Sequence, residues 1–208
     1  MSWGESVQEA RKRLEAMHEG REAALRHCRL LIQISSRSIR CSHRREFDEA
    51  KRLLEEAVAT SQLTREAVAS FPELLHAGYV NDAEKELVEA ALVLAALQGE
   101  ELPGPGALKV SLVAYLNGAG EAASELRRTV LDLMRSGNLP EARRLLGIME
   151  MVHDDLGTLD FPDGLTGGLR RTNDALRAVI ERTRSDLVLT EVQSRLHEEL
   201  VLARKERD

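Results

Sequence analysis

Two pairs of glutamates carry the chemistry that this sequence suggests. Glu86 and Glu89 stand in KELVEAALVLAAL (Lys85 to Leu97), a run that is almost purely apolar from Leu87 onward. Their i, i+3 spacing puts both carboxylates on one helix face. An ionised carboxylate is expensive to bury unless something pairs with it. YLNGAGEAASELRR repeats the theme: Glu121 and Glu125 are spaced i, i+4 among Gly118, Gly120, Ala122, Ala123 and Ser124. Small residues of that kind let a neighbouring helix come close. Two readings follow. In one, each Glu pairs with an arginine or faces water, as charged residues on helices usually do. In the other, the four converge on a hard divalent cation. Mg²⁺ takes oxygen ligands, keeps several waters and suits phosphate chemistry.

A basic stripe is the second chemical feature. Arg26, Arg29, Arg37, Arg40 and Arg44, with Gln33 between them, follow i, i+3, i+4 steps along one face of a long helical segment. The serines of SSRS (35–38) lie alongside. Of the 29 basic residues five are Lys and the other 24 are Arg, the better phosphate fork, so the net charge of −6 does not exclude a nucleic-acid partner. Such a stripe fits a phosphate backbone. It equally fits a solvated face balanced by acids of another helix. Aromatic residues are 3% of the chain, which leaves little for base stacking.

The elements that must position these groups read as helices throughout. Ala, Leu, Glu and Arg dominate, all good helix formers. A helical period runs from 5 to 43, with Leu14, Met17, Leu25, Cys28, Leu31, Ile32 and Ile39 as its apolar stripe. A second helix covers 47 to 70, with Phe47, Leu53, Leu54, Val58 and Leu63 inward. Pro72 opens a third that reaches about Gln98. GEELPGPGALKV, with three Gly and two Pro, breaks the pattern. Ser111 N-caps a fourth helix to about Arg135, and Asn138 with Pro140 starts a fifth that ends near Gly157. The loop LDFPDGLTGGLR precedes a sixth, 168 to 183, and a seventh, 186 to 206. The expectation is an all-α protein, one domain over residues 1–208. FDEAKRLL (47–54) and LPEARRLL (139–146) share helix-start chemistry, with acids in the first turn, and imply no repeat.

Other chemistries find no support. Cys28 and Cys41 fall on one helix, roughly 20 Å apart at about 1.5 Å per residue, beyond disulfide reach. They read as reduced thiols. The histidines (18, 27, 43, 76, 153, 197) lack metal-ligand spacing, and neither a P-loop nor a nucleophile elbow is present. TGGLRR reads as a turn rather than an anion site. The N-terminus lacks a secretory h-region and the apolar run is too short to span a bilayer. The chain is expected to be cytoplasmic and off the membrane.

Five segments, in order, go further: SSRSIRCSHRREFDEA, AGYVNDAEKELVEA, VAYLNGAGEAASELRR, SGNLPEARRLLGIME and TGGLRRTNDALRAVIERTRSDL. Their set resembles the translin family, from about Arg21 to Leu187. The resemblance implies a seven-helix all-α bundle assembling into a hollow homo-oligomer, an octamer, that binds single-stranded RNA and DNA. The family has a binding branch, translin, and a catalytic branch, translin-associated factor X, with Mg²⁺-dependent endoribonuclease activity. The catalytic branch has a Glu-x-x-Glu in a QEYVEA-like segment, matched by Glu86 and Glu89. It also has an Asp and a Glu four residues apart in a GVADLTGEL-like segment, matched by Glu121 and Glu125. Glu121 departs from the family Asp, and a longer side chain matters where Mg²⁺ geometry is strict.

The functional expectation is a metal-dependent endoribonuclease on single-stranded RNA. Glu86, Glu89, Glu121 and Glu125 would hold Mg²⁺, with Mn²⁺ as a substitute, and Arg37, Arg40, Arg44 and Arg128 would position the backbone. The alternatives are a non-catalytic single-strand-binding oligomer and a helical scaffold without nucleic acid.

Overall fold

The computed structural model describes residues 2–75 and 77–205, and within them it is all-α. Nine helices and no strand occur among the described residues: α1 (Trp3–His43), α2 (Phe47–Ala67), α3 (Pro72–Leu75), α4 (Gly78–Gln98), α5 (Pro105–Leu108), α6 (Leu112–Arg135), α7 (Leu139–Gly157), α8 (Asp163–Thr166) and α9 (Leu169–Lys205). Six are long and three are single turns. The chain divides after Gly118 into two compact units, so α6 begins in the first and ends in the second.

In the first unit α1 packs on α2 and α4, and α2 on α4. A capping box starts α1: Ser2 Oγ accepts from the Glu5 amide, and the Glu5 carboxylate accepts from the Ser2 amide at 2.6 Å. Cys28, Leu31, Ile34, Leu53, Leu87 and Leu94 meet in the core. The serines that lie alongside the Arg stripe in sequence face inward. Ser35, Ser38 and Ser42 are fully buried, and Ser38 Oγ donates to the Ala50 carbonyl at 2.9 Å. They are the small inner face of α1 against α2, on the other side from the arginines. Leu14, Ile32 and Leu63, read as inward, are exposed.

Helix α4 is buried on all sides from Ala90 to Leu97. It ends at Gly99, whose φ of +71° is the left-handed cap that glycine adopts at low cost. It begins at Gly78, after the separate turn of α3, so the expected third helix is two elements; His76 lies outside the described residues. Ser111 caps α6 as its sequence position suggests: Oγ accepts from the Ala114 amide at 3.1 Å and donates to Asn81 Oδ1 at 3.0 Å.

The second unit holds the later turns of α6 with α7, α8 and α9, and α9 packs on both α7 and α8. Asn138 caps α7 and Pro140 sits in its first turn. The expected break between a sixth and a seventh helix does not occur. TRSD (183–186) contains no Gly or Pro, and Arg127 of α6 donates to both Thr183 Oγ1 and Asp186 Oδ2 at 2.8 Å. The segment is therefore held as helix across that point.

Both cysteines are free and buried. Burial lifts the Cys28 thiol from 9.0 to about 11; the Thr64 hydroxyl opposes the shift and the Glu84 carboxylate adds to it. A pKa raised in the folded state contributes stability below pH 9, and that contribution is lost as pH climbs towards 11. Two pKa units correspond to about 2–3 kcal/mol. The stability difference between wild type and Cys28→Val, from urea unfolding, should therefore shift by about 2 kcal/mol in favour of the variant between pH 8 and pH 11. A constant difference would mean that the thiol titrates normally.

Candidate metal-binding carboxylates and basic face

The carboxylate that α4 buries is neither of the two singled out from the sequence. Glu84 is 2% exposed. Its Oε1 accepts from Arg65 Nε at 2.7 Å, and its Oε2 accepts from the Ser111 amide at 3.0 Å. One glutamate thus ties α2, α4 and the start of α6 with a charge-assisted pair and a backbone amide. This is the arginine-paired arrangement, the first of the two readings for Glu86 and Glu89, realised two residues earlier. The sequence signal is present: an acid at 84 three residues before Leu87, and Arg65 as the last-turn cation of α2.

Glu86 and Glu89 are half-buried on their shared face of α4. Beside them the first unit contains a close helix approach. A Cβ added to Gly118 of α6 would stand 2.7 Å from Val88 Cβ and 2.8 Å from the Lys85 carbonyl oxygen. No side chain fits there, so Gly118 is what lets α6 lie against α4 at this level. In the second unit Gly120 does the same against α9: its Cβ would stand 2.7 Å from Thr172 Cγ2. Glu121 and Glu125 are half-buried on α6, and Arg128, a turn further on, is exposed. Glu125, Arg128 and Asp132 line one shallow recess of that helix.

Among the described residues no three His, Cys, Asp or Glu side chains are grouped so as to hold a metal ion. The carboxylates are presented as pairs. A pair of hard oxygen donors is a fit for Mg²⁺, which commonly takes one or two carboxylates and completes its octahedron with water and substrate phosphate.

The basic stripe lies on the outer surface of α1. Arg26, Arg29, Arg37, Arg40 and Arg44 are all exposed, as is Gln33. Arg40 donates to Ser36 Oγ at 2.8 Å, which leaves its charge uncompensated by that contact. Arg44 differs: its guanidinium donates to Glu46 at 2.9 Å. Arg37 is close enough to Glu49 to lower that carboxyl's pKa, although Arg52 is the larger cause. The face presents guanidinium groups in helical register to solvent.

Fold and site together define an all-helical protein with carboxylate pairs on two long helices and an arginine-lined surface. No family model matches the chain. The solved structure of AfC3PO in complex with duplex RNA superposes with a TM-score of 0.81 at 35% identity, covering 90% of this chain and 97% of that one. A crystal structure of AfC3PO gives 0.82 at 34%, covering 90% and 98%. An uncharacterised protein of Methanocaldococcus jannaschii is 29% identical over 182 residues, 86% of this chain and 80% of its own. At that identity over nearly the whole of AfC3PO, the chain belongs to the translin family, among its C3PO-like proteins. No helix among the described residues is long and apolar enough to cross a membrane.

Proposed function

We propose that this protein is a self-associating RNA-binding protein of the catalytic, translin-associated factor X type, which cleaves single-stranded RNA with Mg²⁺ inside a hollow homo-oligomer, an octamer. The observation that carries RNA as ligand is the likeness to AfC3PO, solved with duplex RNA, at 35% identity. The carboxylate pairs support the catalytic reading. In it, Glu86 and Glu89 of α4 as one pair, and Glu121 and Glu125 of α6 as another, would each offer oxygen ligands to Mg²⁺. Bound Mg²⁺ would supply charge stabilisation at the scissile phosphate and a more acidic water. The chain's own contribution is placement. Gly118 admits α6 against α4 at Lys85 and Val88, beside Glu86 and Glu89. All four acids are half-buried.

Arg37, Arg40, Arg44 and Arg128 take the phosphate backbone in this proposal. The pairing of Arg44 with Glu46 makes its share smaller than that of Arg37 and Arg40. Replacing Arg37 and Arg40 together by Ala should weaken RNA binding and flatten its salt dependence. At about 0.7 counterions released per single-strand contact, the log–log slope should fall by about 1 to 1.5. Titration of labelled RNA at several salt concentrations measures it. An unchanged slope would show that these arginines face something other than phosphate.

One observation favours a second reading, a non-catalytic binder of single-stranded RNA and DNA: Glu121 stands where the catalytic branch has Asp. The two readings separate in one assay. Labelled single-stranded RNA, duplex RNA and single-stranded DNA are incubated with the protein in Mg²⁺, in Mn²⁺ and in EDTA. Cleavage of single-stranded RNA that needs the metal supports the nuclease. Salt-sensitive retention of RNA without metal-dependent cleavage supports the binder.

A further inference from the structure

The turn that ends α1 holds an arginine where the same turn elsewhere in the chain holds glycine. Helices α1, α4 and α6 close with one pattern of backbone bonds. After α1 the Arg45 amide donates to the Ser42 carbonyl and the Glu46 amide to the Cys41 carbonyl, both at 3.0 Å. After α4 Gly99 donates to Ala96 and Glu100 to Ala95; after α6 Gly137 donates to Met134 and Asn138 to Leu133. This closure puts one residue in left-handed backbone, which glycine adopts freely and a residue with a Cβ adopts under strain. Gly99 and Gly137 take it at φ of +71° and +79°, and Arg45 takes it at +63°. Glycine would close the turn at lower cost, so capping does not account for the arginine. Strain held at an exposed cation points to its side chain.

That side chain has a seat. The Arg45 guanidinium lies 5.9 Å from the centre of the Phe47 ring, within cation–π range. Phe47 is half-buried and packs against the core of the first unit, which fixes the ring. Glu46, the adjacent acid, is engaged by Arg44 at 2.9 Å. Arg45 itself is exposed. The result is a flat cation with an aromatic ring behind it and solvent in front. It follows Arg44, the last member of the α1 stripe, so the two Cα atoms are about 3.8 Å apart. Guanidinium planes of this kind stack on unpaired nucleobases in single-strand recognition. A phosphate contact needs neither the plane nor the ring.

From this arrangement we infer that Arg45, seated on Phe47, stacks an unpaired nucleobase at the α1–α2 turn and so favours single-stranded over duplex RNA. Inside a duplex the faces of the bases are covered by their neighbours, and the platform finds nothing to stack on. The inference rests on the RNA-binding reading proposed above and adds a base contact to its backbone contacts.

The test compares the full-length wild type with Arg45→Lys and Arg45→Gly. The probes are a labelled single-stranded RNA, its duplex, and an abasic strand of the same length. Arg45→Lys keeps the charge and loses the plane. Its affinity for single-stranded RNA should fall about tenfold, the usual size of one base stack. Its salt slope should stay as in wild type, because the number of charges is unchanged. Its affinity for the abasic strand and the duplex should also stay, so the preference for single strands shrinks about tenfold. Arg45→Gly should raise Tm, since the turn relaxes, and yet weaken single-strand binding at least as much. Wild-type affinity for single-stranded RNA in Arg45→Lys overturns the inference, and so does an equal loss on the abasic strand, since Arg45 would then act as a charge on phosphate. Arg45→Gly with a lower Tm and unaltered binding overturns it too, by assigning the arginine to the fold. In these three cases RNA binding itself stands; a wild type that retains no RNA removes that reading and the inference together.

Discussion

Replacing Glu89 by alanine is expected to stop metal-dependent RNA cleavage while leaving RNA binding and helical content in place. A metal ligand contributes several kcal/mol to transition-state stabilisation. At about 1.4 kcal/mol per tenfold, the loss is about a hundredfold or more. Glu89 is half-buried rather than part of the inner core, so the fold does not depend on it as it does on Glu84. The measurement is single-turnover cleavage of labelled single-stranded RNA in Mg²⁺, with binding and circular dichroism as companions. Full activity in Glu89→Ala would remove this carboxylate from the reaction. Glu121→Asp refines the test, because it installs the residue of the catalytic branch. A site tuned to the longer side chain loses activity with Asp; a site that has drifted gains it.

The second large effect is on stability and belongs to Glu84. Glu84→Ala strips a buried carboxylate away from Arg65 and from the Ser111 amide. Breaking a buried ion pair by removing one partner costs about 3–5 kcal/mol. Arg65 is 33% exposed and can reach water, so the lower end, about 3 kcal/mol, is expected here. For a chain of this size that lowers Tm by about 6–12 °C. Glu84→Gln keeps an acceptor for the Ser111 amide and should cost less. Replacing both partners with apolar residues, Arg65→Met with Glu84→Leu, should recover much of the loss. Urea unfolding of the four proteins measures this, and equal stability of Glu84→Ala and wild type would dismiss the pair as a structural tie.

Much of this protein is legible in its amino-acid sequence. The helix starts at Ser111 and at Asn138–Pro140 follow from local chemistry: a capping oxygen and a residue with fixed φ act within one turn. The arginine stripe and the glutamate pairs are likewise local, since spacing alone fixes which residues share a helix face. The ordered segments from Arg21 to Leu187 are enough to point to the family. Three things were decided by tertiary structure alone. The first is which acid of α4 is buried. From Ala90 to Leu97 that helix is apolar all round, so its pattern has no preferred side, and only the positions of Arg65 and Ser111 select Glu84. The second is the role of the serines in SSRS. In sequence they lie alongside the arginines, but about a hundred degrees of rotation per residue turns Ser35 and Ser38 inward, with Ser38 bonded to Ala50. The third is the length of α9. Polar residues at 183 to 186 resemble a turn in sequence, yet Arg127 from α6 binds Thr183 and Asp186 and keeps them helical. In each case the deciding partner is remote in sequence, from Ser38 to Ala50 at the nearest and from Arg127 to Asp186 at the farthest. Local periodicity carries no information about a partner at that distance.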